Sequence, residues 1–213
     1  MAPTRSADWY FDFISPFAYL QSEQLHRLAP YVQIRYVPVL FAGLLKHWGQ
    51  KGPAEIVPKR QFTFEFAMWR AGKLGIPFKM PPAHPFNPLA LLRLATAADA
   101  RPEIVHAIFR FVWQDGRTPD TPLEWFELTS LLGMPNADAH VSASRVKDEL
   151  RAATDAAIAR GVFGVPTLAI DDKLFWGVDA TDMAIDYLQG APVFRSDAYA
   201  HIRDVPDGLA RSV

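Results

Sequence analysis

Apolar and polar positions along the chain recur with two periods, and the order in which those periods appear outlines a fold. The stretch from Trp9 to Ile14 is short and rich in aromatics, and Pro16 follows it almost at once. Proline suits the first turn of a helix, where the N–H it lacks would have no partner anyway, so a strand running into a helix is predicted. Leu20, Leu25 and Leu28 fall near helical spacing, and this helix must end before Pro30. In "VQIRYVPVL" Val32, Ile34 and Tyr36 alternate with polar or small neighbours, which predicts a second strand ending near Pro38. Strand, helix, strand is the parallel crossover unit, which is right-handed in nearly every sheet that contains it.

From Leu40 to Gly161 no convincing strand occurs. Between Pro58 and Lys73 the rings of Phe62, Phe66 and Trp69 stand at i, i+4 and i+7; Phe62, Phe64 and Phe66 also alternate, but the longer pattern favours a helix. "MPPAHPFNP", Met80 to Pro88, must be irregular because its prolines cannot all sit inside one element. Helices are predicted at 89–98, 102–113, 121–131 and 138–160, with Asn136 or Asp138 as a cap for the last. The strand pattern returns at Val165 to Ile170, turns at Asp171-Asp172 and continues from Lys173 to Val178 as a hairpin. A last helix runs from Ala180 to Leu188, with Asp179 at its N-cap and Asp182 three residues on. Residues 1–40 and 161–190 thus form an α/β domain interrupted by an all-helical insertion, 41–160. The tail, 191–213, reads as polar and partly ordered.

Composition narrows the chemistry. With 213 residues, half of them hydrophobic, the chain can bury a sizeable core. Lysine plus arginine number 22 against 23 acids, and the net charge of -1 gives no electrostatic case for nucleic acid or an anionic membrane. Arg5, Asp8 and Asp12 interrupt any signal-like stretch, and no run approaches the roughly 20 apolar residues that cross a bilayer, so a cytoplasmic location is expected. There is no cysteine, which removes disulfides, thiolate metal sites and thiol catalysis by the protein itself. The six histidines, at 26, 47, 84, 106, 140 and 201, show no ligand spacing, and no metal site is expected.

Three motifs in order carry a resemblance: the corner Ser15-Pro16-Phe17-Ala18-Tyr19 within "FDFISPFAYL", the loop and strand "GVFGVPTLAI", and the turn "FWGVD". Together they resemble the 2-hydroxychromene-2-carboxylate isomerases and the related kappa-class glutathione transferases. That resemblance spans nearly the whole chain. It implies a thioredoxin-like fold, with 1–40 and 161–190 as its two parts, carrying the large helical insertion of the DsbA-like group. It also implies glutathione as cofactor, a small aromatic acid as substrate and a homodimer.

In a redox thioredoxin fold the corner carries Cys-x-x-Cys; here Ser15 and Ala18 occupy those two places, so disulfide exchange by the protein is excluded. The start of a helix favours a negative charge by about 0.3–1 kcal/mol at exposed sites. A bound thiolate would be stabilised there, and the Ser15 hydroxyl can donate to it and keep it nucleophilic at neutral pH. Taken alone, Ser15 reads as a plain N-cap. An acyl-enzyme role lacks both the G-x-S-x-G elbow and a histidine placed as base. Val165-Pro166 stands where thioredoxin-like proteins hold a cis proline, which would make the Val165 backbone a ligand for the cysteinyl part of glutathione; alone it reads as a turn proline. Val178 and Asp179 would grip the γ-glutamyl end, though Asp179 alone reads as a cap.

By resemblance Lys59 faces the glycine carboxylate and Gln50 takes the place of a usual asparagine. Phe66 replaces an aspartate, and Ala180-Thr181 replaces an arginine-leucine pair. These departures bear on the second substrate and on glutathione affinity. Phe17, Phe41, Leu44, Trp48, Phe62, Trp69, Phe86 and Trp176 supply candidate walls for a slot holding a flat aromatic, set against the ordinary role of such residues as core. A glutathione-dependent isomerase is the favoured reading. The alternatives are a kappa-like transferase or peroxidase, and a thioredoxin-like binding module without chemistry.

Overall fold

The computed structural model describes residues 5–206 and 208. Four strands form one sheet: β1 (Ser6–Phe11), β2 (Gln33–Pro38), β3 (Thr167–Ile170) and β4 (Lys173–Trp176), in the order β2-β1-β3-β4. β1 and β2 are parallel, from Ser6 opposite Gln33 to Phe11 opposite Pro38; β3 runs antiparallel to β1, and β4 to β3. The helices are α1 (Pro16–Ser22), α2 (Phe41–His47), α3 (Val57–Leu74), α4 (Leu89–Ala97), α5 (Pro102–Trp113), α6 (Pro122–Leu131), α7 (Ala137–Ser142), α8 (Ser144–Ala159), α9 (Ala180–Gln189) and α10 (Asp197–His201). None of these helices is long and apolar enough to cross a membrane.

Strand periodicity divides β1 between two cores. Ala7, Trp9 and Phe11 point into the larger one, while Tyr10 joins Val39, Leu44, Ala157, Val162, Val165 and Ala169 on the opposite face. Aromatic rings fill the larger core's centre: Trp9 stacks on Phe11 at 4.7 Å, and Phe109 of α5 lies 4.7 Å from Phe13.

Several boundaries differ from expectation. β1 ends at Phe11 rather than Ile14 because the Asp12 side chain accepts the Ile14 N–H (3.1 Å) and its carbonyl accepts the Ser15 N–H (3.1 Å), folding 12–15 into a turn. α1 stops at Ser22, whose hydroxyl donates to the Tyr19 carbonyl (2.7 Å), and a 3-10 turn, Leu25–Arg27, replaces the expected continuation to Leu28. α2 lies in a stretch that predicted no particular helix. The long helix expected over 138–160 is broken at Ala143, extended at φ -60 and ψ 131; Ser142 donates its hydroxyl to the carbonyl of Asp138 (2.6 Å). The tail is more ordered than its composition predicts. Phe194 packs on Tyr187 (5.3 Å) and Tyr199 (5.3 Å), and Ser196 caps α10 by accepting the Tyr199 N–H (3.2 Å). The final residues of the tail fall outside the described ones.

Candidate functional site

The corner between β1 and α1 is fixed atom by atom. Ser15 is the N-cap of α1 in an extended conformation, φ -93 and ψ 116, and its Oγ accepts the Ala18 N–H (3.2 Å). A hydroxyl that accepts still has its own proton to donate. Capping and ligand activation are therefore compatible in this one group. Three side chains, two of them buried and one half-buried, hold the backbone around it. Trp113 Nε1 donates to the Phe13 carbonyl (2.8 Å), and His84 Nε2 contacts the Ile14 carbonyl (2.8 Å). A carbonyl only accepts, so His84 carries its proton on Nε2; its Nδ1 is buried without a partner, and burial pushes its pKa down. Arg60 of α3 donates to the His84 carbonyl (2.8 Å).

Asp12 is the third. Fully buried, it accepts from the Ile14 amide and from Phe41 N at the start of α2 (2.9 Å). Burial pushes its carboxyl up to about 7, although the backbone amides of Phe41, Ile14 and Phe13 pull the other way.

The second motif meets this corner at the same end of the sheet. Tyr10 pairs with Thr167, and continuing that antiparallel register sets Pro166 and Val165 beside Phe11 and Asp12. Val165-Pro166 is a cis peptide. No backbone hydrogen bond among the described residues uses the Val165 N–H or carbonyl. β4 brings in the third motif, because Gly177 N donates to the Pro166 carbonyl (2.9 Å). Gly177 lies at φ +94, where a Cβ would sit 2.5 Å from Asp179 Oδ1, so only glycine fits beneath that carboxylate. Asp179 occupies the N-cap position of α9 but makes no capping bond with its side chain. That corrects the capping-box expectation with Asp182, and it leaves the Asp179 carboxylate exposed beside the start of α9. Val178 is buried.

One residue that the sequence did not single out ties the motifs together. Gln21, buried in α1, donates through Nε2 to the Gly177 carbonyl (2.9 Å) and to Thr181 Oγ1 (3.0 Å), while its Oε1 accepts from Trp9 Nε1 (2.8 Å). Its amide offers two donors and one acceptor, and all are used.

Ser15, Phe17, Val165, Pro166, Val178 and Asp179 therefore share one end of the sheet. Gln50 and Lys59 are exposed and make no side-chain hydrogen bond to the corner. Among the candidate slot walls, Leu44 is fully buried in the smaller core with Phe41 packed against that cluster, and Phe86 packs on Trp113 (6.4 Å). Trp48 donates to the Val162 carbonyl (2.9 Å), and Trp176 lies against Phe163 (5.1 Å). Phe17 instead meets Phe66 (5.8 Å), the middle of three rings stacked along α3, Phe62, Phe66 and Trp69. No group of three or more His, Cys, Asp or Glu among the described residues is arranged to hold a metal.

A cleft of about 750 Å³ lies apart from the corner, lined in part by Glu23, Leu25, Tyr36, His106 and Arg110. Burial opposes ionisation of Glu23, but His106 at 3.8 Å and the Arg110 fork (2.9 and 2.8 Å) outweigh it and hold the carboxyl at about 2. Burial, and secondarily Glu23, push Tyr36 up to about 12, so its phenol stays protonated.

The signals that could have revealed the supporting residues differ. Asp12 is the lone charge within "YFDFI" and is legible as an anomaly. His84, Trp113 and Gln21 carry no local signal, since their partners lie 70, 100 and up to 160 residues away.

Comparison with known proteins identifies the fold and the family. The profile of the DSBA-like thioredoxin domain family matches residues 7–189. A 2-hydroxychromene-2-carboxylate isomerase of Sphingobium xenophagum is 33% identical over 196 residues, covering 87% of this chain and 98% of that protein. Glutathione S-transferase kappa 2 of Caenorhabditis elegans is 28% identical, covering 84% and 90%. A solved 2-hydroxychromene-2-carboxylate isomerase superposes with a TM-score of 0.78 at 27% identity, over 90% of this chain and 98% of that one. The chain belongs to the 2-hydroxychromene-2-carboxylate isomerase family within the DSBA-like thioredoxin fold, with the kappa-class glutathione transferases as its kin.

Proposed function

We propose that this protein is a glutathione-dependent isomerase acting on 2-hydroxychromene-2-carboxylate or a similar ring-opened aromatic acid. The observation that carries the reading is the Ser15 hydroxyl. It accepts from Ala18 N, keeps its proton, and stands at the sheet end that also holds an unpaired Val165 backbone and an uncapped, exposed Asp179. Glutathione would lie across these groups. Its cysteinyl backbone pairs with Val165 in strand fashion, and its γ-glutamyl ammonium meets Asp179. Its glycine carboxylate meets Lys59, and its thiolate accepts from Ser15. The thiolate adds to an electron-poor alkene of the substrate, the ring C–O bond breaks, and the proton of the 2-hydroxyl, which becomes a carbonyl, passes to the phenolate oxygen released. The former double bond, now single, rotates, and expulsion of the thiolate restores the alkene. Glutathione is regenerated each turn, and no proton or electron is left over.

The test is a glutathione titration followed by ultraviolet thiolate absorbance, with and without Ser15→Ala. Loss of the hydroxyl is expected to raise the pKa of the bound thiol and to cost at least tenfold in kcat, while removal of the cap costs about 1 kcal/mol of stability. A thiol pKa unchanged by Ser15→Ala would sink the role given to it.

A second reading, favoured by the relative named a glutathione S-transferase, is that the same thiolate is consumed rather than regenerated; counting thiol lost per product formed separates the two. A binding module without chemistry would show no thiolate signal and no turnover. The reading extends to a cytoplasmic homodimer, for which light scattering should give twice the 23.9 kDa of the chain.

A further inference from the structure

The peptide unit between Ile14 and Ser15 is held at both of its polar atoms. Its N–H donates to the Asp12 carbonyl (3.1 Å), and its carbonyl accepts from His84 Nε2 (2.8 Å). The next carbonyl, that of Ser15 itself, accepts from Ala18 N (3.1 Å) and Tyr19 N (3.2 Å) in the first turn of α1. Peptide units are rigid planes. With the planes on both sides fixed, Ser15 Cα has one orientation, and its side chain leaves the backbone in one direction. The Asp12 bond spans only three residues and moves with the turn. Among the described residues, His84 is the one side chain from outside the turn that bonds to this peptide, and it comes from 70 residues away.

His84 is itself set in place. Phe64 meets its ring edge-on (5.2 Å, 87°), Trp113 lies at 5.7 Å and Phe86 at 6.1 Å, and Arg60 Nη2 donates to its backbone carbonyl (2.8 Å). Its Nδ1 is buried with no partner. Leaving a buried polar atom unpaired costs free energy that a hydrocarbon side chain in the same space would not incur. An apolar residue would therefore pack there at lower cost, whereas an imidazole that supplies Nε2–H to Ile14 has a use that offsets its orphaned nitrogen. Burial lowers the His84 pKa, so the ring stays neutral and Nδ1 carries no proton.

We propose that His84 is a positioning residue for the Ser15 hydroxyl. By donating to the Ile14 carbonyl it sets the tilt of the peptide from which the serine side chain projects, and hence the aim of the O–H that meets a bound thiolate. A hydrogen bond weakens steeply when its angle falls below roughly 120°, so a modest rotation of that peptide withdraws the donor without removing it. The same oxygen must still accept from Ala18 N (3.2 Å), which leaves the hydroxyl little freedom to compensate. The proposal rests on the glutathione reading above and adds to it a residue that lies in none of the three motifs. In this role His84 touches neither the tripeptide nor the reacting atoms and acts through Ser15 alone.

Two substitutions separate the donor from the bulk of the ring. In His84→Gln the amide nitrogen can take the place of the imidazole Nε2, and His84→Leu fills the space with no donor. With glutathione saturating, ultraviolet absorbance reads the pKa of the bound thiol. His84→Leu is expected to raise it by about half a pH unit or more and to lower kcat about fivefold, and His84→Gln to restore most of both. In a Ser15→Ala background His84→Leu should move the thiol pKa no further, because its effect runs through the hydroxyl. Placement of the serine has a second readout that needs no glutathione. Hydrogen exchange of the Ser15 amide should be about tenfold faster in His84→Leu than in wild type, and near wild type in His84→Gln. A bound-thiol pKa unchanged by His84→Leu, an equal shift in both substitutions, or full additivity with Ser15→Ala overturns the proposal and leaves His84 a packing residue. If wild type gives no thiolate signal, the glutathione reading falls and the exchange rates decide: faster exchange in His84→Leu that His84→Gln reverses sustains the positioning of Ser15, and an unchanged rate overturns it.

Discussion

Ser15 and Asp12 show how much a single side chain at a turn can decide. The serine caps with a lone pair and retains a proton for a sulfur anion; the aspartate shapes the turn that presents the serine. Asp12 loses its proton near 3.8 in the unfolded chain and near about 7 in the folded protein. Between those values the folded state holds the extra proton. Its contribution to stability is therefore fully present below about pH 4 and is lost as pH rises through 7, at up to about 1.4 kcal/mol per pH unit. His84, whose pKa burial lowers, contributes with the opposite sign below pH 6.5, so the difference between wild type and Asp12→Asn isolates the carboxyl. Urea midpoints from pH 4.5 to 8 should show the advantage of wild type over Asp12→Asn shrinking steadily with pH. Parallel curves would mean that Asp12 keeps one protonation state throughout.

At the scale of elements, α1 connects the sheet to the loop before α9 through Gln21. Replacing it with leucine, similar in volume, leaves Trp9 Nε1 and the Gly177 carbonyl without their partner inside the fold. Each unsatisfied buried group costs roughly 1–3 kcal/mol, so Gln21→Leu should lose about 3 kcal/mol in urea unfolding and weaken glutathione through the 177–179 turn. A loss under about 1 kcal/mol would make the amide a bystander. α3 presents a different case: its helical period was plain in Phe62, Phe66 and Trp69, but a core reading was natural for three aromatics at that spacing. Exposure is what separates the two, and periodicity gives the face without saying what lies opposite it. Breaks such as Ala143 and Ser22 were illegible for a related reason, since serine hydroxyls turn back onto carbonyls of their own turn in some contexts and face solvent in others.

The whole molecule is held by a core that does not respect the division between sheet and helical stretch. One continuous apolar cluster joins Trp9, Phe11 and Leu168 of the sheet with Tyr19 of α1, Leu92 of α4, Phe109 and Trp113 of α5, Leu128 of α6 and Leu150 of α8. Shared packing of this kind predicts one cooperative transition. Heating followed by far-ultraviolet circular dichroism and by tryptophan fluorescence should give coincident midpoints, and two separated transitions would show that the helical stretch melts on its own.

Local chemistry was enough for the sequence to specify the strand-helix-strand opening, the closing hairpin and helix, and the motif serine, proline and aspartate. Each rests on a period, a proline or a cap that acts within a few residues. Tertiary structure alone decided that those motifs meet at one end of the sheet, because that depends on the register of β1 with β3 across some 160 residues. It likewise decided that His84 and Trp113 brace the corner, that Asp179 leaves its cap unmade, and that Phe62 and Trp69 of α3 face solvent. A side chain's partner and its exposure are properties of the packed chain, and no short stretch of sequence contains them.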